Sequence, residues 1–185
     1  SPPALGAPTG TPGLSGSVAT SPDGRVVASG ATDGGVQVWD VGPAGAVARA
    51  PLPGDGALVE QVVWSPDGRT LAAGSADHTV HLWDVTDPGA PVAAAPLTGA
   101  TNWVNAVAFG PDGRTLAAGS SDGDARIYDL ATHRTVATLP HPGPVTAAAF
   151  LDVDTLATGE ADGVAHLWPV RTPVVSTFDD AVFAV

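Results

Sequence analysis

The chain has no cysteine, no methionine and no lysine. Without cysteine it can build neither a disulfide framework nor a thiolate metal site. Its 7 basic residues, all arginine, stand against 19 acidic ones, for a formal net charge of −12. Phosphate binding needs a basic stripe and an anionic membrane surface needs a polybasic patch. The sequence offers neither, so nucleic acid and membrane are not expected partners. No apolar run reaches transmembrane length. No signal-peptide pattern opens the chain, which lacks even an initiator methionine, and it reads as a processed or excised segment. The cytoplasm is the expected compartment, and the Ala/Gly/Val/Pro/Arg bias without lysine suggests a high-GC genome.

What is abundant is glycine and proline, 23 and 18 of 185 residues, with 44% hydrophobic residues and a mean hydropathy of +0.18. Glycine accepts φ > 0 and proline presets turn geometry, which suits short strands joined by tight turns and suits long helices badly. Self-similarity organises the rest. Ser21-Pro22-Asp23-Gly24-Arg25 recurs as Ser65-Pro66-Asp67-Gly68-Arg69 and as Gly110-Pro111-Asp112-Gly113-Arg114, with a degraded copy in Leu151-Asp152-Val153-Asp154. Ten residues after each leading aspartate stands another: Asp33, Asp77, Asp122 and Asp162. Seven further on come Asp40, Asp84 and Asp129, with Pro169 in the fourth copy. The period is 44, then 45, then 40 residues. Most of the acidity therefore marks turns.

Each copy predicts four strands. The inner ones are expected at 18–20, 62–64, 104–109 and 145–150, and the second strands at 26–30, 70–74, 115–119 and 155–159. Third strands are expected at 36–40, 80–84, 125–129 and 165–169, and weaker, Ala- and Pro-flanked outer strands at 46–50, 92–96, 135–139 and 174–178. A four-stranded antiparallel unit at this period is a propeller blade, which must stack on neighbours to bury its faces. The expected division is a linker or preceding tail at 1–16 and blades at 17–50, 51–96, 97–139 and 140–178. Residues 179–185 would be the inner strand of an incomplete fifth blade.

Trp39-Asp40, Trp83-Asp84, Tyr128-Asp129 and Trp168-Pro169 resemble the Trp-Asp signature of WD40 repeats. The Ser-Pro-Asp-Gly-Arg turns are similar to the bacterial version of that family, and the resemblance covers roughly residues 15 to 185. It implies an all-β WD40-type propeller: four four-stranded blades plus one strand of a fifth, half of a larger ring that two copies could complete as eight blades. It also implies a network in each blade joining Trp, the turn Asp, a strand Ser or Thr, and a His. The Trp role falls to Trp39, Trp83 and Trp168, and the Asp role to Asp33, Asp77, Asp122 and Asp162. The hydroxyl is Ser29 or Thr158, with Ala73 and Ala118 lacking it. The His is His141 alone, with Thr11, Asp55 and Ala100 at that place elsewhere. Three blades should then rest on packing rather than on a polar network.

Catalytic motifs are missing: no Gly-x-Ser-x-Gly elbow, His-Glu-x-x-His pair or phosphate loop occurs. The histidines His78, His81, His133, His141 and His166 are spread over turns and strands, so no metal is expected. Asp122-Gly123-Asp124 lacks the remaining ligands of a calcium loop. No cofactor is expected. The tryptophans of the repeat, with Trp64 matching Phe109 and Phe150, are expected in the core. Trp103 has no repeat equivalent, and alternation with Val104 turns it and Asn105 outward. In WD40 propellers this strand entrance rims the top face, where partners dock. Leu58, Glu60, Pro144 and Thr146 occupy matching places, beside Thr32, Ala76, Ser121 and Ala161 at the second turn. The expected function is a non-catalytic scaffold that binds a protein or peptide there, within a larger signalling or regulatory protein. Two alternatives are an enzyme or small-ligand propeller using the central channel, and a module for oligomerisation alone.

Overall fold

The computed structural model describes residues 15–54, 56–87 and 89–170. They form fifteen strands and no helix. The first sheet holds β1 (Ser15–Thr20), β2 (Val26–Ala31), β3 (Val36–Gly42) and β4 (Gly45–Ala48) in that order. The second holds β5 (Val59–Trp64), β6 (Thr70–Ser75), β7 (Val80–Asp84) and β8 (Val92–Ala93), and the third β9 (Val104–Phe109), β10 (Thr115–Ser120), β11 (Asp124–Asp129) and β12 (Arg134–Pro140). A fourth sheet has three described strands, β13 (Val145–Asp152), β14 (Thr155–Glu160) and β15 (Ala165–Pro169). All pairing is between antiparallel sequence neighbours, and the inner strands β1, β5, β9 and β13 pack side by side.

The repeat is written in its turns. Ser21 Oγ and Ser65 Oγ each donate to the following Asp23 or Asp67 carboxylate at 2.6 Å and accept from Val26 N or Thr70 N at 2.9 Å. Gly24, Gly68 and Gly113 then adopt φ of 70°, 70° and 67°, which a β-carbon would oppose. At the opposite end of each blade, Asp33, Asp77, Asp122 and Asp162 accept from the backbone N–H two residues on, at 2.8–3.2 Å. The residue between is left-handed each time: Gly34, Gly123, Gly163 and, without glycine, His78 at φ 75°.

The core lies between blades. Val38, Leu82 and Ile127, at one register position of the third strands, pack against the blade that follows. Val62 and Val107 on the inner strands meet the blade before. A glycine closes each contact. A β-carbon on Gly30, Gly74 or Gly119 would stand 2.3–2.8 Å from Val59, Val104 or Val145 of the next blade.

Several expectations shift. β1 starts at Ser15, inside the segment read as linker, because it keeps pairing with β2 across a bulge. β5 starts at Val59 for the same reason. The outer strand expected at 92–96 shrinks to two residues, beyond which the chain stays on β7 through one bond from Ala94 N to Leu82 O at 2.9 Å and an isolated Val80–Leu97 bridge. Pro91 and Pro96 flank this strand and lack the N–H that would extend it. Trp39 and Trp83 are buried, but Trp168 is only half-buried, as no further described sheet covers its blade. Trp64, Phe109 and Phe150 are half-buried at blade joints. The strands expected at 174–178 and 179–185, most of the 1–16 linker, Thr11 and Asp55 lie outside the described residues.

Candidate partner-docking rim

The entrance of each inner strand is tied to the second turn of its own blade. The carbonyls of Leu58, Trp103 and Pro144 accept from Ala76 N, Ser121 N and Ala161 N at 2.8, 2.9 and 3.0 Å. These equivalent bonds put the named rim residues at one end of the blades, opposite the Pro-Asp-Gly turns. Trp103 is 48% exposed there. Its backbone is held on both sides: Asn102 Oδ1 accepts from Trp103 N at 2.8 Å, and Asn102 O accepts from Ser120 Oγ at 3.2 Å. An exposed indole on a fixed backbone loses little entropy on binding.

The remaining rim residues divide. Asn105 Nδ2 donates to Ser121 Oγ and to Val145 O, both at 2.9 Å, so this pair straps the third blade to the fourth and is half-buried. Leu58 and Glu60 are half-buried on the preceding blade, and Thr146 is exposed on the following one. Trp103, Asn105 and Ser121 form one connected cluster, flanked by the others.

The polar network departs from expectation. In the fourth blade Thr158 Oγ1 accepts from Trp168 Nε1 at 2.8 Å and meets His141 Nε2 at 2.7 Å, as the resemblance implies. Asp162 takes no part and stays at the surface, as does Asp33. Blades two and three do not rest on packing alone. Their third strands supply a new partner: His81 Nε2 meets Asp77 Oδ2 at 2.7 Å, and Arg126 pairs with Asp122 at 3.0 Å and with Asp124 at 2.9 Å. His166 at the same step meets Glu160 Oε1 at 2.6 Å, the carboxylate being almost fully buried and also accepting from Gly143 N. His81 and His166 are thus structural partners rather than surface polar residues. Burial pushes the Asp122 carboxyl up, but Arg126 and the N–H groups of Thr101 and Asp124 outweigh it and hold the pKa at about 2.

Sequence reasoning missed the opposite end of the blades. A cleft of about 410 Å³ opens there between the first two blades, lined among others by Arg25, Arg49, Arg69, Asp40 and Trp64. Arg49 is engaged with Asp40, whose carboxyl it holds below the usual carboxylate range. A related cleft of about 390 Å³, between the second and third blades, reuses Arg69. The arginine after each Pro-Asp-Gly was the available signal.

Inward-packed four-stranded blades with a rim of exposed strand entrances define a β-propeller array. The family model described as "WD domain, G-beta repeat" matches residues 15–40, 49–84 and 92–129, more than half of the chain. The chain belongs to the WD40 repeat family. No curated protein matches it. Among solved structures it is similar to the computationally designed Ika4 protein, at 24% identity and a TM-score of 0.76, over 89% of this chain and 96% of that one. It is also similar to U3-55K, at 22% identity and a TM-score of 0.79, over 87% of this chain and 50% of that one. At these identities the likeness speaks for the fold.

Proposed function

We propose that the chain is a non-catalytic protein-interaction scaffold, a segment of a larger signalling or regulatory protein, that docks a protein or peptide on the rim around Trp103. The observation that carries this reading is the 48% exposure of a tryptophan outside the repeat, set on a braced backbone, while Trp39 and Trp83 are buried. Tryptophan anchors of this kind concentrate binding energy. The rim around it is small and mixed in chemistry, which fits a polypeptide better than a phosphate-bearing ligand. Membership in the WD40 family supports protein partners in general. The form of the Ser-Pro-Asp-Gly-Arg turns supports a bacterial source, and we place the chain in the cytoplasm.

The central-channel reading is weaker, because the inner strands carry mostly Val, Ala and aromatic residues. The oligomerisation-only reading differs in leaving the rim without a ligand. Our reading has room for a second copy that completes an eight-bladed ring and leaves the rim free.

The test is affinity capture with the wild-type chain and Trp103→Ala, cross-links being mapped by mass spectrometry. Expected is a partner cross-linked at the third-blade rim and lost with Trp103→Ala at unchanged Tm. Retention of the partner by the variant, or cross-links confined to the Pro-Asp-Gly end, would overturn the reading.

A further inference from the structure

We infer that the furrow at the Pro-Asp-Gly end of the first two blades is a second docking site, for an extended acidic peptide whose carboxylates engage Arg25 and Arg69 and whose apolar neighbour covers Trp64. The furrow lies at the opposite end of the blades from the rim, and no residue is common to the two.

The cleft of about 410 Å³ is lined wholly by the first two blades, which stack on each other through Val38, Val59 and Val62. Its apolar part is Trp64, Val26 and buried Val85. Trp64 Nε1 donates to Ala19 O at 3.3 Å, which pins the half-buried ring across the joint. The charged groups around it differ in what they already hold. Asp23 and Asp67 accept from the Ser21 and Ser65 hydroxyls at 2.6 Å and from the N–H groups of Arg25 and Arg69 at 3.0 Å. Asp84, next to the cleft, accepts from Thr86 N at 2.9 Å, and Asp40 is engaged by Arg49. Arg25 and Arg69 use their backbone groups in the turns: Arg25 O accepts from Val41 N at 2.7 Å and Arg69 O from Val85 N at 2.8 Å. Their guanidinium groups are exposed and donate to no described residue. The nearby carboxylates are thus committed to the turns, while two forks of N–H donors stand open beside an indole.

This arrangement selects the occupant. A planar guanidinium matches a carboxylate through paired N–H···O bonds, and tryptophan offers an apolar body beside them. The net charge of −12 repels anions at long range, so the ligand must be held by these close contacts. A nucleic acid, with a phosphate at every step, fits that field poorly. The neighbouring cleft of about 390 Å³ shares Asp67, Arg69 and Thr86 with the first, so the two adjoin in one furrow across both blade joints. An extended polypeptide can follow such a furrow, whereas a small carboxylate would occupy one cleft alone. The second cleft has Arg69 and His133 but neither Arg25 nor Arg114, the next arginine of the repeat. Both open guanidinium groups therefore meet only in the first cleft, which is where the carboxylates engage.

Titration of the isotope-labelled 185-residue chain with the end-blocked peptide Gly-Glu-Leu-Glu-Gly, followed by nuclear magnetic resonance, tests this. Expected are saturable shifts of the Arg25 and Arg69 side-chain N–H signals and of the Trp64 indole N–H, with the Trp103 indole unmoved. The peptide Gly-Gln-Leu-Gln-Gly should bind at least about fivefold more weakly, and Arg25→Gln and Arg69→Gln should each raise the Kd for the glutamate peptide about fivefold, the upper range for an exposed ion pair. Arg114→Gln and Trp103→Ala should leave that Kd unchanged. The three arginines are exposed, so none of their variants should lower Tm. Equal affinity for the two peptides, wild-type affinity in Arg25→Gln, or loss of binding in Trp103→Ala would each overturn the proposal. Displacement of the peptide by an equal concentration of free glutamate would do so too, by assigning the cleft to a small carboxylate. Loss of the rim partner with peptide binding intact would count against the rim alone.

Discussion

Gly30 and Val59 stand so close that a β-carbon on the glycine would lie 2.3 Å from Val59 Cγ1. The contact joins β2 of the first blade to β5 of the second, so glycine here makes room for a neighbour rather than relieving backbone strain. Gly30→Ala must push the two blades apart or force Val59 off its rotamer. The expected loss is about 1–3 kcal/mol, the range for overpacking a filled core. Gly159→Ala, at the equivalent place, where a β-carbon would meet only Ala147 among the described residues, at 3.3 Å, should cost less than about 1 kcal/mol. Urea unfolding of both variants checks the pair, and equal losses would mean that the glycines serve the backbone instead.

Asp122 makes the third blade acid-sensitive. Its pKa of about 2 lies below the roughly 3.9 of an unfolded aspartate. A depressed folded pKa contributes stability that is fully present above the unfolded value and is lost as pH falls through the folded one. The window is therefore about pH 4 down to pH 2, and the stabilisation lost is about 2 kcal/mol. Asp122→Asn should lower stability at pH 7 and flatten the acid limb of a stability–pH profile. Buried Arg126, left with Asp124 alone, accounts for the direction at neutral pH.

The strands and blade order were legible because turn chemistry repeats in register: an aspartate followed by a left-handed residue recurs four times and brackets each second hairpin. The outer strands were less so, since Ala and Pro specify an edge weakly and pairing there depends on what the third strand leaves exposed. Trp103 was readable as an outlier from the repeat, and its place at the blade end follows from the hydrogen bond that its carbonyl accepts from Ser121. The His81–Asp77 and Arg126–Asp122 pairs were missed although both are four residues apart. The resemblance implies one recurring partner, a His, whereas the third strand supplies a different side chain in each blade, Gln37 and His166 being the others. Glu160 was passed over because its equivalents are Ala31, Ser75 and Ser120, and nothing in a linear reading marks a carboxylate that folding buries against a histidine.

Two tryptophans at one register position should respond unequally to loss of the indole N–H. Trp39 Nε1 is buried with no acceptor among the described residues, whereas Trp168 Nε1 donates to Thr158 Oγ1. Trp39→Phe removes an unsatisfied donor along with some packing, and the two effects offset each other to within about 1 kcal/mol. Trp168→Phe strands the Thr158–His141 pair and should cost about 1–2 kcal/mol despite the greater exposure of its site. Melting of both variants decides it; a larger loss at Trp39 would show that the N–H is satisfied in solution.

His78 carries the one strained second turn. Its φ of 75° is matched at the equivalent places by Gly34 at 85°, Gly123 at 90° and Gly163 at 91°. A residue with a β-carbon in this region costs about 1–2 kcal/mol, which glycine avoids. Glycine also adds entropy to the unfolded chain, which takes back about 0.5–1 kcal/mol. The side chain of His78 forms no part of the Asp77–Thr79–His81 cluster, so its removal leaves those bonds intact. His78→Gly should therefore raise stability by up to about 1 kcal/mol, read as a higher Tm with an unchanged urea m-value. Destabilisation instead would mean that the imidazole makes contacts worth more than the strain, and His78→Asn, which tolerates the same φ with a shorter polar side chain, would then fall between the two.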